Sequence, residues 1–270
     1  MKVVLFCGGY GMRMRDSGGD GMPKPMQMVG PRPLIWHVMR YYAHFGHKEF
    51  ILCLGYGASH IKNYFLTYQE AASNDFVMHG GNVELMHSDI SDWKISFVDT
   101  GLESAIGERL RRVRPFLEGD EYFLANYSDV LTDAPLDEVI AKFHESGAAA
   151  SMMVVPPESS FHCVNISEAG EVKDITPLSE MSVWINGGYF VLSNEIFDYI
   201  PPGGDLVADG CATLAGEGRL FGYSHHGFWK PADTFKERAE LDAGYHRGNR
   251  PWMVWDSSGD DAKIEVARSR

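Results

Sequence analysis

The sequence predicts an α/β protein: a mostly parallel sheet flanked by helices, followed by a β-rich second half. Three observations carry this. The chain opens with an apolar, β-branched run at residues 2–7. Strand-like runs then alternate with helical periodicity as far as about residue 150. Beyond that point short strands are separated by turns rich in Pro, Gly and Ser. Alternating β and α segments bury a parallel sheet on both faces, so its strands read as continuous apolar runs.

The elements follow in order. After the first strand, Ile35, Val38, Met39 and Tyr42 recur at i, i+3, i+4, i+7 and mark one face of a helix over 34–45. Glu49–Gly55 returns to strand. Ser59 is placed to cap the next helix, whose stripe is Ile61, Tyr64, Phe65 and Tyr68. A polar stretch and strand-like runs near 83–87 and 94–98 precede a helix carrying Ile106, Leu110, Val113 and Leu117. Residues 122–127 form another strand, and Leu136, Val139, Ile140 and Phe143 another amphipathic helix. The second half reads as strands at 151–155, 163–167, 171–175 and 188–192. A helix near 193–200, a Gly-rich loop, a strand at 219–224 and a helix from Thr234 to Tyr245 complete it. No repeat or linker divides the chain. It is expected to be one domain over 1–256, with a first half (1–150), a second half (151–256) and a tail at 257–270.

Composition narrows the function. Lys and Arg number 24 and Asp and Glu 37, a net charge of −13. Nucleic-acid backbones are bound by neutralising phosphates with cations, so a nucleic-acid partner is not expected. No apolar run approaches the ~18 residues of a membrane span, so no membrane partner is expected either. The apolar start breaks into glycines without a small-residue cleavage site and reads as a buried strand rather than a signal. Cys7, Cys53, Cys163 and Cys211 are widely spaced and form no CxxC pair, as expected of reduced thiols in a cytoplasm.

The strongest local signal is Gly8-Gly9-Tyr10-Gly11-Met12-Arg13 straight after the first strand, followed by Pro23-Lys24-Pro25-Met26. Glycines there let backbone N–H groups approach a phosphate, and Arg13 and Lys24 supply cations for it. A tight turn alone would also explain the glycines; the pattern is neither a Walker loop nor GxGxxG. Trp36, His37 and Met39 read as packing residues, and Arg111, Arg112 and Arg114 as a solvated face. His225 and His226 are adjacent in a strand-like run and point oppositely, which argues against a metal pair.

With these stretches the chain resembles the glucose-1-phosphate cytidylyltransferases, sugar-nucleotide pyrophosphorylases of the nucleotidyltransferase family. The likeness extends from Met1 to about Trp255. It includes Pro33–Met39 (PLIWHVM), Phe50–Tyr56 (FILCLGY), Asp99-Thr100-Gly101, Gly107–Val113 (GERLRRV), Ile185–Val191 (INGGYFV) and Gly227–Thr234 (GFWKPADT). The resemblance implies a Rossmann-like, glycosyltransferase-A-like nucleotidyltransferase fold with a sugar-binding lobe. It also implies Mg²⁺-dependent transfer of CMP from CTP to a sugar 1-phosphate or close analogue, and a homo-oligomer. Another triphosphate, or a non-catalytic sugar-nucleotide-binding paralogue, are the alternatives.

By the same resemblance Arg13 and Lys24 are catalytic. Leu5, Cys7, Gly8, Gly9, Gly11, Met12, Arg13, Lys24, Ser104, Arg109 and Ser128 bind the nucleotide. Asp129 and Asp233 hold the metal, and Asn186, Gly187 and Gly188 bind the acceptor. Attack of one phosphate on another needs positioning and charge neutralisation rather than a base, and oxygen ligands suit Mg²⁺. Four departures stand out. Ser104 replaces Thr, Ser128-Asp129-Val130 replaces Gly-Asp-Gly, and Phe161–Val164 replaces an Arg-Phe-Gly stretch. Asp174–Glu180 lacks the lysine of a Glu-Lys-Pro element that grips the acceptor's phosphate. Lys173 or Arg219 could substitute; Lys173 lies three residues from Thr176, on the other face of a strand. The acceptor half is therefore expected to be altered.

Overall fold

The computed structural model describes residues 1–9, 22–157 and 161–256. Along the chain these form β1 (Val3–Phe6), a short hairpin of β2 (Met28–Val29) and β3 (Arg32–Pro33), and α1 (Leu34–His44). Next come β4 (Glu49–Leu54), α2 (Ala58–Leu66), α3 (Glu70–Ser73), and a hairpin of β5 (Phe76–His79) and β6 (Asn82–Leu85). β7 (Lys94–Asp99), α4 (Ile106–Val113), β8 (Tyr122–Asn126), β9 (Val130–Thr132) and α5 (Leu136–Ser146) follow. The second half holds β10 (Ala150–Val155), a hairpin of β11 (His162–Ile166) and β12 (Val172–Pro177), β13 (Ile185–Ser193) and α6 (Ile196–Tyr199). A π-helix (Leu206–Cys211), α7 (Ala212–Gly216), β14 (Leu220–Ser224), β15 (Trp229–Pro231) and α8 (Phe235–His246) end it.

Seven strands make one sheet in the order β14-β10-β13-β8-β1-β4-β7. β1 runs parallel to β4 and β8, β4 to β7 and β10 to β14, while β13 is antiparallel to both neighbours. The two halves of the sequence thus share a sheet. The second half contributes three of its strands, and the β11–β12 hairpin stands apart. The opening apolar run is explained by β1 lying at the interior of this sheet. Val3 and Leu5 enter the core on one face, with Val38, Met39, Val139 and Phe143 of α1 and α5. Val4 and Phe6 enter the core on the other, with Leu110, Phe197 and Leu214 of α4, α6 and α7. A strand covered on both sides has no solvent face to alternate with.

Several local expectations need correction. Gly57, not Ser59, occupies the N-cap of α2, with φ +69°, and Ser59 lies inside the first turn. An added Cβ at Gly57 would sit 2.7 Å from the Pro23 side chain. Tyr68 falls beyond the end of α2. The helix expected to reach Leu117 changes to a 3₁₀ turn at Arg114–Leu117, where Pro115 interrupts the α-helical bonding. The Gly-rich loop before 219 is mostly the π-helix and α7, started by Asp205, whose side chain accepts from the Val207 and Ala208 N–H groups. β5 lies in the stretch read as polar. The tail at 257–270 lies outside the described residues. No described helix is long and apolar enough to cross a membrane.

Candidate active site

The parallel strands β1, β4 and β8 end on one edge of the sheet, where open α/β sheets hold ligands. Because β13 runs the other way, its first residues reach the same edge. A cavity of about 690 Å³ opens there, bordered by Gly8 and Gly9 after β1, Tyr127–Val130 after β8, and Leu102–Ile106 before α4. Asn186 and Gly187 of β13, with Lys24, Trp229 and Asp233, close it.

Lys24 opens a 3₁₀ turn whose entry is fixed by Pro23 and whose second residue is Pro25. Its ammonium donates to Asp233 Oδ1 at 2.5 Å and stands 3.7 Å from Asp129 Oδ2. The two carboxylates are far apart in sequence and are brought together by one register. β15 pairs antiparallel with β9, Pro231 opposite Val130, and the Ala232 N–H donates to the Asp129 carbonyl at 2.9 Å. Desolvation pushes the Asp129 carboxyl up to about 6; Lys24 opposes that rise and Asp233 adds to it. Two carboxylate donors facing a cavity suit a hard divalent cation that keeps water and phosphate oxygens as its other ligands. Among the described residues no group of three or more His, Cys, Asp or Glu could hold a metal. A metal here would therefore depend on ligand oxygens to complete its shell.

Ser128 precedes Asp129 with φ +63° and is the one non-glycine at positive φ among the described residues. The conformation that a glycine would supply is therefore retained, and two hydrogen bonds hold the serine in it. Its N–H donates to Asn126 Oδ1 at 2.7 Å and its hydroxyl to the Phe6 carbonyl at 2.8 Å. That hydroxyl is directed at the β1 backbone.

Arg109 is almost wholly buried under the glycine turn. Nη2 donates to the carbonyls of Gly8 at 2.8 Å and Leu102 at 3.1 Å. Nη1 donates to Thr100 Oγ1 at 2.9 Å and the Leu54 carbonyl at 3.2 Å. This explains two glycines: an added Cβ would lie 2.0 Å from Arg109 Nη1 at Gly8 and 2.8 Å from it at Gly55. The guanidinium ties three loop ends together and puts a positive charge beneath the cavity. Ser104 borders the cavity, its hydroxyl donating to the Thr100 carbonyl at 2.5 Å.

The other expected residues fall as follows. Leu5 lies inside the core and is not among the residues bordering the cavity. Cys7 borders it, but burial pushes its thiol up to about 12. Gly11, Met12 and Arg13 lie outside the described residues. Asn186 donates to the Tyr127 hydroxyl at 3.0 Å and accepts from the Gly188 N–H at 2.8 Å, while Gly187 accepts from Trp229 Nε1 at 2.8 Å. Gly188 sits behind the wall with φ +77°, where a Cβ would meet the Tyr127 ring at 2.7 Å. Tyr127, Trp229 and Asp205 were missed by sequence reasoning. Trp229 lies inside the quoted Gly227–Thr234 stretch and Tyr127 adjoins Ser128-Asp129-Val130, without either being singled out, and Asp205 carries only its capping signal. All four cysteines are free, as expected. His225 is buried against Asp133 at 2.9 Å, whereas His226 lies edge-on to Trp184, so the pair diverges.

Neither proposed substitute for the missing lysine reaches the cavity. Lys173 is exposed and paired with Glu171 at 2.6 Å. Arg219, just before β14 at the opposite edge of the sheet, is bonded to Glu195 and to the Tyr199 hydroxyl.

The site is thus a cavity at the strand ends with a lysine set between two carboxylates. The chain belongs to the nucleotidyl transferase family, whose sequence pattern matches residues 2–230. It is 36% identical over 258 residues to the probable glucose-1-phosphate cytidylyltransferase of Bacillus subtilis, covering 94% of this chain and 100% of that protein. The glucose-1-phosphate cytidylyltransferase of Salmonella typhi is 34% identical over 261 residues, 95% and 100% of the two chains. The fold matches HddC from Yersinia pseudotuberculosis with a TM-score of 0.66 at 16% identity, covering 90% of this chain and 99% of that one. The α/β fold expected from the sequence is thereby established.

Proposed function

We propose that this chain transfers CMP from CTP to a sugar 1-phosphate or a close analogue, giving a CDP-sugar and pyrophosphate, with Mg²⁺ as the metal and the cytoplasm as its place. The observation that carries this is Lys24 set between Asp129 and Asp233 on the cavity wall. The 34–36% identity to cytidylyltransferases, against 27% to a uridylyltransferase of Synechocystis, supports CTP. The nucleotide lies on the 1–150 half and the acceptor on the 151–256 half.

Asp129 and Asp233 would hold the metal, which supplies charge neutralisation on the triphosphate. The chain's own groups do the rest. The Gly8–Gly9 backbone, held down by Arg109, receives the nucleotide, and Lys24 stabilises charge on the transferring phosphate. Tyr127, Asn186 and Trp229 shape the acceptor end. No general base is required, since the attacking phosphate oxygen is already ionised.

In the whole cavity the described cations are Lys24 and Arg109 alone, both assigned to the nucleotide, against Asp129, Asp233, Asp205 and Glu103. A dianion entering there without a further cation is penalised. α-Glucose 1-phosphate is accordingly a poor acceptor, and a modified sugar phosphate or phosphonate-like analogue is preferred. Pyrophosphate release, measured with CTP, UTP and ATP against a panel of acceptors, tests both parts. Preference for UTP or ATP would remove the cytidylyl assignment and spare the enzyme class. A kcat/KM for glucose 1-phosphate of ~10⁴ M⁻¹s⁻¹ or more would remove the altered acceptor.

A further inference from the structure

Asp205 borders the active-site cavity and starts the π-helix. Its Oδ1 accepts from the Val207 N–H at 2.8 Å and the Ala208 N–H at 2.9 Å. Asparagine, serine or threonine caps a helix as well, so the cap accounts for one oxygen and not for the charge. Oδ2 makes no hydrogen bond to the described residues, and no cation among them pairs with Asp205. Tyr127 fixes its place along the cavity. Burial pushes the Tyr127 hydroxyl up to about 12, and the Asp205 charge adds to that rise. Asn186 of β13 bonds the same hydroxyl, so Asp205 belongs with Tyr127 and Asn186 at the acceptor end. The proton inventory there is also defined. Asn186 Oδ1 is taken by the Gly188 N–H, which leaves Nδ2 as the donor to the tyrosine oxygen. The Tyr127 proton, retained at neutral pH, is left to donate to another group.

We propose that the acceptor is an amine-bearing phosphate or phosphonate, its protonated amine held by Asp205 Oδ2 and one of its oxygens by the Tyr127 hydroxyl. This rests on the transfer function proposed above and names the substrate class of that site. An ammonium removes one unit of the negative charge that a phosphate brings into a cavity whose described cations serve the nucleotide. It also gives Asp205 an opposite charge, whereas a neutral sugar hydroxyl would accept the geometry and leave a carboxylate desolvated without a partner. The aromatic side chains on this part of the wall, Tyr127 and Trp229, suit an organic cation better than a dianion.

Titration calorimetry of the full chain reads acceptor binding without turnover. Two matched pairs locate the amine: glucosamine 1-phosphate against glucose 1-phosphate, and 2-aminoethyl phosphate against ethyl phosphate. In at least one pair the amine should bind at least ~10-fold tighter, the lower end of what a hydrogen bond to a charged group contributes. Asp205→Asn, which keeps the cap, should abolish that preference while the Kd for CTP stays near wild type. Tyr127→Phe should weaken both members of the pair alike. Should Asp205→Asn not fold, an acylated amine decides with the wild type, since acetylation removes the charge and should return binding to the level of the amine-free compound. The proposal is overturned by equal binding within both pairs, by a preference that survives Asp205→Asn or acetylation, or by lost CTP affinity with the amine preference intact, which would put Asp205 on the base. Amine selectivity in binding without pyrophosphate release from any triphosphate would instead refute the transfer function and spare the amine site.

Discussion

Replacing Arg109 by lysine keeps a positive charge beneath the cavity and removes the fork. The guanidinium serves four acceptors from two nitrogens: the carbonyls of Gly8, Leu54 and Leu102, and the Thr100 hydroxyl. A single ammonium cannot span acceptors distributed around a planar fork, so at least two are orphaned in a buried setting. At ~1–3 kcal/mol for each buried group left unmade, the loss is about 2–6 kcal/mol. For a chain of this size the lower figure already corresponds to a fall in Tm of ~4–8 °C. The Gly8 carbonyl belongs to the turn proposed to receive the nucleotide, so the triphosphate's Kd should rise along with the loss of stability. Differential scanning calorimetry and titration calorimetry of Arg109→Lys read the two effects separately. An unchanged Tm with weakened nucleotide binding would show that Arg109 acts on the ligand alone and refute the scaffolding role. An unchanged Tm and an unchanged Kd would refute both.

Three further outcomes are expected. Lys24→Ala should lower kcat by ~10²–10³, the range for losing one donor to transition-state charge, while urea unfolding stays near wild type because Lys24 is partly solvent-exposed; kcat within a few-fold of wild type would contradict its role. At Ser128, whose φ of +63° strains an L-residue by ~1–2 kcal/mol, glycine should be nearly neutral, since relief of strain offsets one lost hydrogen bond. Alanine should be less stable by ~1 kcal/mol and valine by more, and denaturant midpoints give the order directly. His37 is buried as the neutral ring, with Nε2 donating to the Val29 carbonyl at 3.0 Å and Nδ1 accepting from Trp252 Nε1 at 3.4 Å. Burial lowers its pKa from 6.5 to about 4. A depressed folded-state pKa gives a contribution fully present above pH 6.5 and lost as pH falls toward 4, worth about 3 kcal/mol. Unfolding free energies measured across that window should fall more steeply for wild type than for His37→Gln, and equal slopes would exclude His37 as the source.

The legible parts of the fold were those where burial is one-sided or total. β1 and β4 read as continuous apolar runs because both faces are covered, and α1 and α5 show their stripes because one face is. Thr234 and Glu237 form a capping box that fixes the start of α8. The π-helix was illegible because its start depends on one capping aspartate and its glycines imitate a loop. At the site, Lys24, Asp129 and Asp233 could be nominated by resemblance, but no periodicity encodes the register of β9 with β15 that unites them. Arg109 was nominated as a ligand contact. Its four acceptors come from separate loops that only the folded chain assembles, so its bracing role has no signature in the sequence.

The β9–β15 clasp has a consequence for synthesis. One carboxylate leaves the ribosome with the first half of the chain; the other follows only with the last strand. A nascent chain can fold its glycine turn and Arg109 early and still lack half of the pair beside Lys24. On the proposed function, a metal-assisted step would wait for that second carboxylate. Its place is set by three paired residues on each side, Trp229–Pro231 against Val130–Thr132.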